Sequence, residues 1–196
     1  IFTELFSPTR GGSAVWFDKV YRLLGDKGTH IITAKVAGAV AHDAIHPLTV
    51  HRLTLERKPY LRPESLGMYL MMLVAGLKLC LTHRFCSVHA GRVLPEGLVA
   101  LLLARLIRRP CLVYAHGEEI TTWTQSFKRR ALRFIYRHVD AVIANSRFTQ
   151  QLLLDMGVSP ARIHLIHPGF DDGLLKPGLE TGPLRESFGL QGKKII

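Results

Sequence analysis

Three short runs in this sequence combine residue types that can hold a hydroxyl-rich or phosphorylated ligand. They are Pro8-Thr9-Arg10-Gly11-Gly12-Ser13, His116-Gly117-Glu118-Glu119 and Asn145-Ser146-Arg147-Phe148-Thr149. In the first, Gly11 and Gly12 let the backbone approach an anion, and a helix starting there would aim its free N-terminal amides at it. The run has neither the GxGxxG dinucleotide fingerprint nor the Lys-Ser/Thr ending of a phosphate-binding Walker loop, so a plain tight turn competes with that reading. In the second, the His116 imidazole can donate to a hydroxyl or lend partial positive charge to a reacting group, while Glu118 or Glu119 can bind hydroxyls or accept a proton. A structural loop is the alternative there. In the third, Asn145 or Ser146 can simply cap a helix, and Arg147 beside a helix N-terminus also makes an anion site.

These runs act together only if the chain gathers them, and the hydropathy pattern implies that it does. Short apolar or β-branched runs at 1–6, 30–36, 48–55, 85–89, 111–114, 141–144 and 162–166 read as strands. Between them, helical spacing predicts helices over 14–25, 63–82, 99–107 and 126–139, and a further one capped by Asn145 and Ser146 that reaches Met156. Val15, Phe17, Val20, Leu23 and Leu24 form the expected apolar face of the first helix. Strands alternating with helices predict an α/β, Rossmann-like, doubly wound parallel sheet. Each of the three runs directly follows a strand, and in such sheets ligands collect outside the carboxyl ends of the strands. His89, with Arg92 and Glu96, follows another strand and is a further candidate for the same edge. The pattern delimits one domain over 1–166, a Gly/Pro-rich linker over 167–183, and over 184–196 the start of another domain.

The order and spacing of these features resemble the N-terminal domain of group 1, family 4 glycosyltransferases. The resemblance is carried by the strand-Pro-x-x-Gly-Gly start, His116-Gly117-Glu118, and the Ala144-Asn145-Ser146-x-x-Thr149 run. Leu152-Leu153, Gly157-Val158, Arg162-Ile163 and His167-Pro168-Gly169-Phe170-Asp171 continue it. It implies one half of a two-domain GT-B enzyme that transfers a sugar from a nucleotide-sugar to an acceptor with retention, without a metal or other cofactor. Under it, His116 lies against the transferred sugar and Gly11 and Gly12 approach the donor diphosphate. Glu118, Glu119, Asn145, Ser146, Arg147, Thr149 and His89 line the cleft or the acceptor pocket. His167 to Phe170 replace the family's commoner hinge residues, so no contact is assigned there. The implied donor-reading elements belong to the second domain, and this portion alone is expected to be inactive. A non-catalytic sugar-phosphate- or membrane-binding module of the same fold is the competing class.

Composition narrows the partners. The formal charge is +11, with 47% hydrophobic and 21% charged residues. That charge suits nucleic acid, an anionic membrane or phosphorylated ligands, but no zinc-finger spacing or aromatic RNA-binding strand accompanies it, so nucleic acid is not expected. Within 126–139, Phe127, Ala131, Phe134 and Ile135 fall on one helical face, and Lys128, Arg129, Arg130, Arg133 and Arg137 crowd the other. Such a helix either packs its apolar face on the sheet or lies on an anionic membrane, as an enzyme with a lipid-linked or cell-surface glycan acceptor would use. Three scattered cysteines, an opening without signal-peptide pattern and no apolar run of spanning length predict a cytoplasmic chain, peripheral on the inner membrane face under the second reading. The pairs His42/His46 and His164/His167 lack further ligands nearby in sequence, so no metal is expected.

Overall fold

β-Branched and apolar residues place six strands side by side, all parallel: β1 (His30–Ala34), β2 (Thr49–Leu53), β3 (Val88–Ala90), β4 (Cys111–Ala115), β5 (Ala141–Ala144) and β6 (Ile163–Leu165). This computed structural model describes residues 1–59, 64–169 and 182–194. The strands pair in the orders β1-β2 and β3-β4-β5-β6, and Phe2 joins the two sets by bridging Ile32 on one side and Ala90 on the other. Its backbone fits both neighbours: Phe2 N–H donates to the His89 carbonyl and Gly91 N–H to the Phe2 carbonyl, each at 2.8 Å. The full lateral order is therefore β2-β1-Phe2-β3-β4-β5-β6. The chain winds one way from Phe2 through β1 to β2 and the other way from β3 to β6, so the topological switch point lies between Phe2 and β3.

Among the described residues seven helices connect these segments, α1 (Gly12–Leu24), α2 (Ala39–Ile45), α3 (Leu66–Thr82), α4 (Leu98–Ile107), α5 (Glu118–Thr122), α6 (Ser126–His138) and α7 (Arg147–Asp155), and α8 (Gly182–Ser187) follows the last strand. Alternate strand residues face opposite sides, which makes two cores. Ile32, Val113 and Val142 pack with Met72, Val99, Leu103, Leu132 and Leu153, whereas Ile31, Tyr114 and Ile143 pack with Phe6, Trp16, Phe17 and Tyr21. Each fully buried apolar side chain contributes roughly 1.5–3 kcal/mol relative to exposure. Helices on both faces of a parallel sheet make the fold the expected doubly wound, Rossmann-like one.

Several local expectations change. The strand over 1–6 shrinks to the single bridge at Phe2. The packed face of α1 is Ala14, Trp16, Phe17 and Tyr21, while Val15, Leu23 and Leu24 are exposed, because the aromatic rings reach the sheet and the aliphatic set points away. On α6 the buried residues are Leu132, Ile135 and Tyr136, and both Phe127 and Phe134 are exposed. An irregular turn at Val93–Gly97 kinks the chain into α4, and α5 occupies a stretch read as loop. Most of the expected linker, with Phe170 and Asp171, lies outside the described residues. So do Ile195 and Ile196; Lys193 and Lys194, which with them read in sequence as the start of a strand, are in none.

Candidate functional site

Parallel strands deliver the turns after Phe2, β3, β4, β5 and β6 to one edge of the sheet. At its centre is His116, the residue after β4. Its Nε2 lies 2.9 Å from the Gly91 carbonyl oxygen, which accepts only, so Nε2 carries the proton and donates. In the neutral ring Nδ1 then keeps its lone pair, and among the described residues no side chain or backbone group hydrogen-bonds to it. The ring is held edge-on by Trp16 and Phe17, each with its centroid 6.0 Å away. These aromatics sit one turn into α1 from the glycine pair, so α1 couples Gly12 to His116.

The backbone around His116 is equally constrained. Its N–H donates to Glu119 Oε1 at 3.1 Å, the same oxygen that accepts the Tyr136 hydroxyl at 2.6 Å. Its carbonyl accepts from Asn145 Nδ2 at 3.3 Å. Gly117 has φ +90°, and a Cβ there would meet Thr149 Oγ1 at 2.7 Å, so glycine is required for the close approach of the two turns. Ser146 caps α7: its Oγ accepts the Thr149 N–H at 3.1 Å. Thr149 Oγ1 donates to Asn145 Oδ1 at 2.8 Å, and His167 Nδ1 reaches the Asn145 carbonyl at 3.1 Å.

The glycine turn lies open beside this cluster. Gly11 is the N-cap of α1 with no side-chain cap, and its φ of +152° favours glycine. Nothing lies within 4 Å of a Cβ built on Gly11 or Gly12. The start of α1 therefore presents amides and positive dipole to free space, a ready position for an anion. Arg52 holds the approach to this turn from behind. Its guanidinium makes a two-pronged contact with Asp43, at 2.9 and 2.8 Å, and also donates to the Ala34 and Ser7 carbonyls. Partial burial works to raise the Asp43 pKa, but hydrogen bonds from Arg52 and His42 outweigh it and hold the carboxyl below its usual range.

Not every predicted residue reaches the edge. His89 is the middle residue of β3, paired with Leu112 and so four positions short of His116 along the neighbouring strand. Both its nitrogens are engaged, Nδ1 with the Tyr21 hydroxyl at 2.8 Å and Nε2 with Ser87 Oγ at 2.9 Å, and burial pushes its pKa down to about 4. It belongs to a polar chain under α1 that continues from Tyr21 to Tyr114, not to a pocket at the rim. Glu119 and Thr149 are buried and tie the turns together. Glu118 and Arg147 are exposed, while Asn145 and Ser146 are half-buried at the turn. Glu96 is fully buried, with Oε1 accepting the Glu4 N–H at 2.9 Å and Oε2 unpartnered among the described residues. Burial raises its pKa to about 7.

Trp16, Gly91, Arg52 and Tyr136 build the site without having been singled out by the sequence patterns, and Phe17 was expected only on the apolar face of the first helix. The aromatic pair Trp16-Phe17, one helical turn after Gly12, was the one local signal.

One cluster has the composition of a metal site: Asp18, His42 and His46 bring ligand atoms within 4.8 Å of one another. His46 Nδ1 accepts the Leu48 N–H at 3.2 Å, which leaves the proton on Nε2, where it is donated to Asp18 Oδ1 at 2.7 Å. Arg22 Nε donates to the same oxygen at 2.8 Å. The cluster is internally satisfied in a form whose ligand nitrogen is protonated.

The family description Glycosyltransferase Family 4 matches residues 10–174. No curated protein matches the chain. Among solved structures, Anabaena HepE in complex with UDP-glucose is similar over 97% of this chain and 49% of its own, with 17% identity and a TM-score of 0.68. HepE in complex with UDP and glucose is similar over 96% and 49%, with 17% identity and a TM-score of 0.66. The Glycyrrhiza uralensis protein UGT73P12, complexed with glycyrrhetinic acid 3-O-monoglucuronide, matches over 85% and 48%, with 10% identity and a TM-score of 0.58. The chain thus spans about half the length of these structures, and at such identities the likeness establishes the fold, a Rossmann-like half of the GT-B architecture.

Proposed function

Because the chain belongs to Glycosyltransferase Family 4, we propose that it forms the acceptor-side half of an enzyme that moves a sugar from a nucleotide-sugar to an acceptor with retention. The observation that carries this reading is the His116 imidazole, fixed at the strand edge by Gly91, Trp16 and Phe17 with Nδ1 left over. In this tautomer Nδ1 accepts a hydrogen bond from a hydroxyl of the transferred sugar and orients it. The open amides at Gly11 and Gly12 approach the donor diphosphate, where the helix dipole favours negative charge. Asn145, Ser146, Arg147 and Glu118 border the acceptor side. No metal or organic cofactor has a part in this scheme, and the protonated Nε2 of His46 supports leaving the Asp18 cluster out of it.

HepE has been captured with UDP-glucose, which makes a UDP-sugar the first donor to try. The acceptor class is a glycan or a lipid-linked glycan reached from the cytoplasm. The test is turnover of a panel of nucleotide-sugars by the full-length protein and by His116→Ala. Wild-type turnover and its loss by a hundredfold or so in the variant, on the scale of a lost positioning or acid–base group, support the reading. Unchanged turnover in the variant removes the role of His116, and donor binding without any turnover by wild type favours the non-catalytic module.

A further inference from the structure

The surface formed by α3, α4 and α6 is unusually apolar for an exposed one. Leu70 on α3, Leu102 on α4 and Phe127 on α6 are 56%, 52% and 60% exposed. Between them runs a groove of about 450 Å³, floored by Leu73, Leu98 and Trp123 and edged by Arg57 and Lys128. Across α6 lies a second hollow of about 570 Å³, lined by Arg129, Arg130 and Arg133. Among the described residues the one carboxylate lining it is Asp155, whose Oδ1 already accepts from Gln151 at 2.8 Å.

Helix geometry explains the division. Leu132, Ile135 and Tyr136 anchor α6 in the core. Phe127, Lys128 and Ala131 then fall toward the groove, and Arg129, Arg130 and Arg133 toward the second hollow. Phe134, 52% exposed, projects from the crest between Arg130 and Arg137. Aromatic and aliphatic side chains bordered by arginines match a surface with an anionic skin and an oily interior. A twofold contact centred on α6 would bring its arginines against their own equivalents, which like-charge repulsion opposes.

We propose that this face docks on an anionic phospholipid bilayer, with Leu70, Leu102 and Phe127 entering the acyl region and the α6 arginines meeting the headgroups. None of the described helices is long and apolar enough to cross a membrane, so attachment is to one leaflet. The docking does not rest on the transfer reading.

The experiment is co-sedimentation of the full-length protein with vesicles of phosphatidylcholine alone or mixed with phosphatidylglycerol, at low and high salt. Binding should require phosphatidylglycerol and weaken as salt rises. The surface variant Arg129→Gln/Arg130→Gln should bind about tenfold less or weaker still, and Leu70→Ser/Phe127→Ser should lose binding while Leu23→Ser keeps it. Melting curves check that the apolar double variant is folded, and the arginine variant decides the matter if it is not. Absent binding, equal binding to neutral vesicles, or variants that bind as wild type overturn the proposal. So does wild type that self-associates in sedimentation equilibrium until Phe127 is replaced, which would assign the face to a second copy. Vesicle binding is read without turnover, so its failure leaves the transfer reading intact, and loss of turnover leaves the docking intact.

Discussion

At the scale of single residues, the site depends on groups whose roles follow from what they touch. Gly117 is the clearest case: at φ +90° and with Thr149 Oγ1 2.7 Å from any added Cβ, it admits no side chain. Gly117→Ala should cost roughly 1–3 kcal/mol. Adding Thr149→Ala removes the clash but not the backbone strain, so urea midpoints should show only partial recovery; full recovery would mean that contact alone was at stake. Glu96 and His89 predict opposing pH effects. Glu96 ionises near 7 when folded and near 4.5 when unfolded, so the native state holds the extra proton and this stabilisation fades as pH rises through 7. His89 titrates near 4 when folded and 6.5 when unfolded, so its contribution fades as pH falls from 6.5 through 4. Above 6.5 the His89 contribution is complete and only the tail of the Glu96 one is left, so wild-type stability should fall relative to Glu96→Gln by up to about 1 kcal/mol. Parallel unfolding profiles for the two proteins across that range would refute the assignment.

At the scale of elements, the site is a set of turns cross-tied by side chains. Arg52 on β2 is the tie that holds the Ser7 end of the glycine turn, through Asp43 on α2 and the Ser7 carbonyl. Its side chain is mostly buried, so Arg52→Leu strands Asp43 and should cost about 1–3 kcal/mol, less than a fully buried pair. Amide exchange over residues 7–13 should quicken in that variant; unchanged exchange would show that the turn holds itself. The elements most legible from sequence were those with a local signature. β4 and β5 are short apolar runs, and α7 carries Ser146 as its own cap. α2 was not legible, since its seven residues bury only Ala39 and leave no apolar stripe. Neither were the aromatic face of α1, the interior position of His89 or the tie made by Arg52, because each depends on partners tens of residues away. The three turns were readable as a set because parallel strands carry every following turn to one edge. Which side chains on those turns face inward was not, as Glu119 and Thr149 illustrate.

At the scale of the molecule, a formal charge of +11 is spread over a sheet whose switch point lies between Phe2 and β3. Winding outward from such a point is what leaves a ligand crevice at the carboxyl edge of these sheets, and the glycine turn, His116 and the Ser146 cap all follow strands at that edge. The α3–α4–α6 surface stands apart from those turns, with its own apolar and cationic chemistry. The claim that one rim receives the donor is tested most directly by amide hydrogen exchange of the full-length protein with and without UDP-glucose. The account predicts that Gly12 and Ser13, His116 and Gly117, and Ser146 and Arg147 gain protection together. Protection confined to the α3–α4–α6 surface, or to one of the three turns alone, would contradict it.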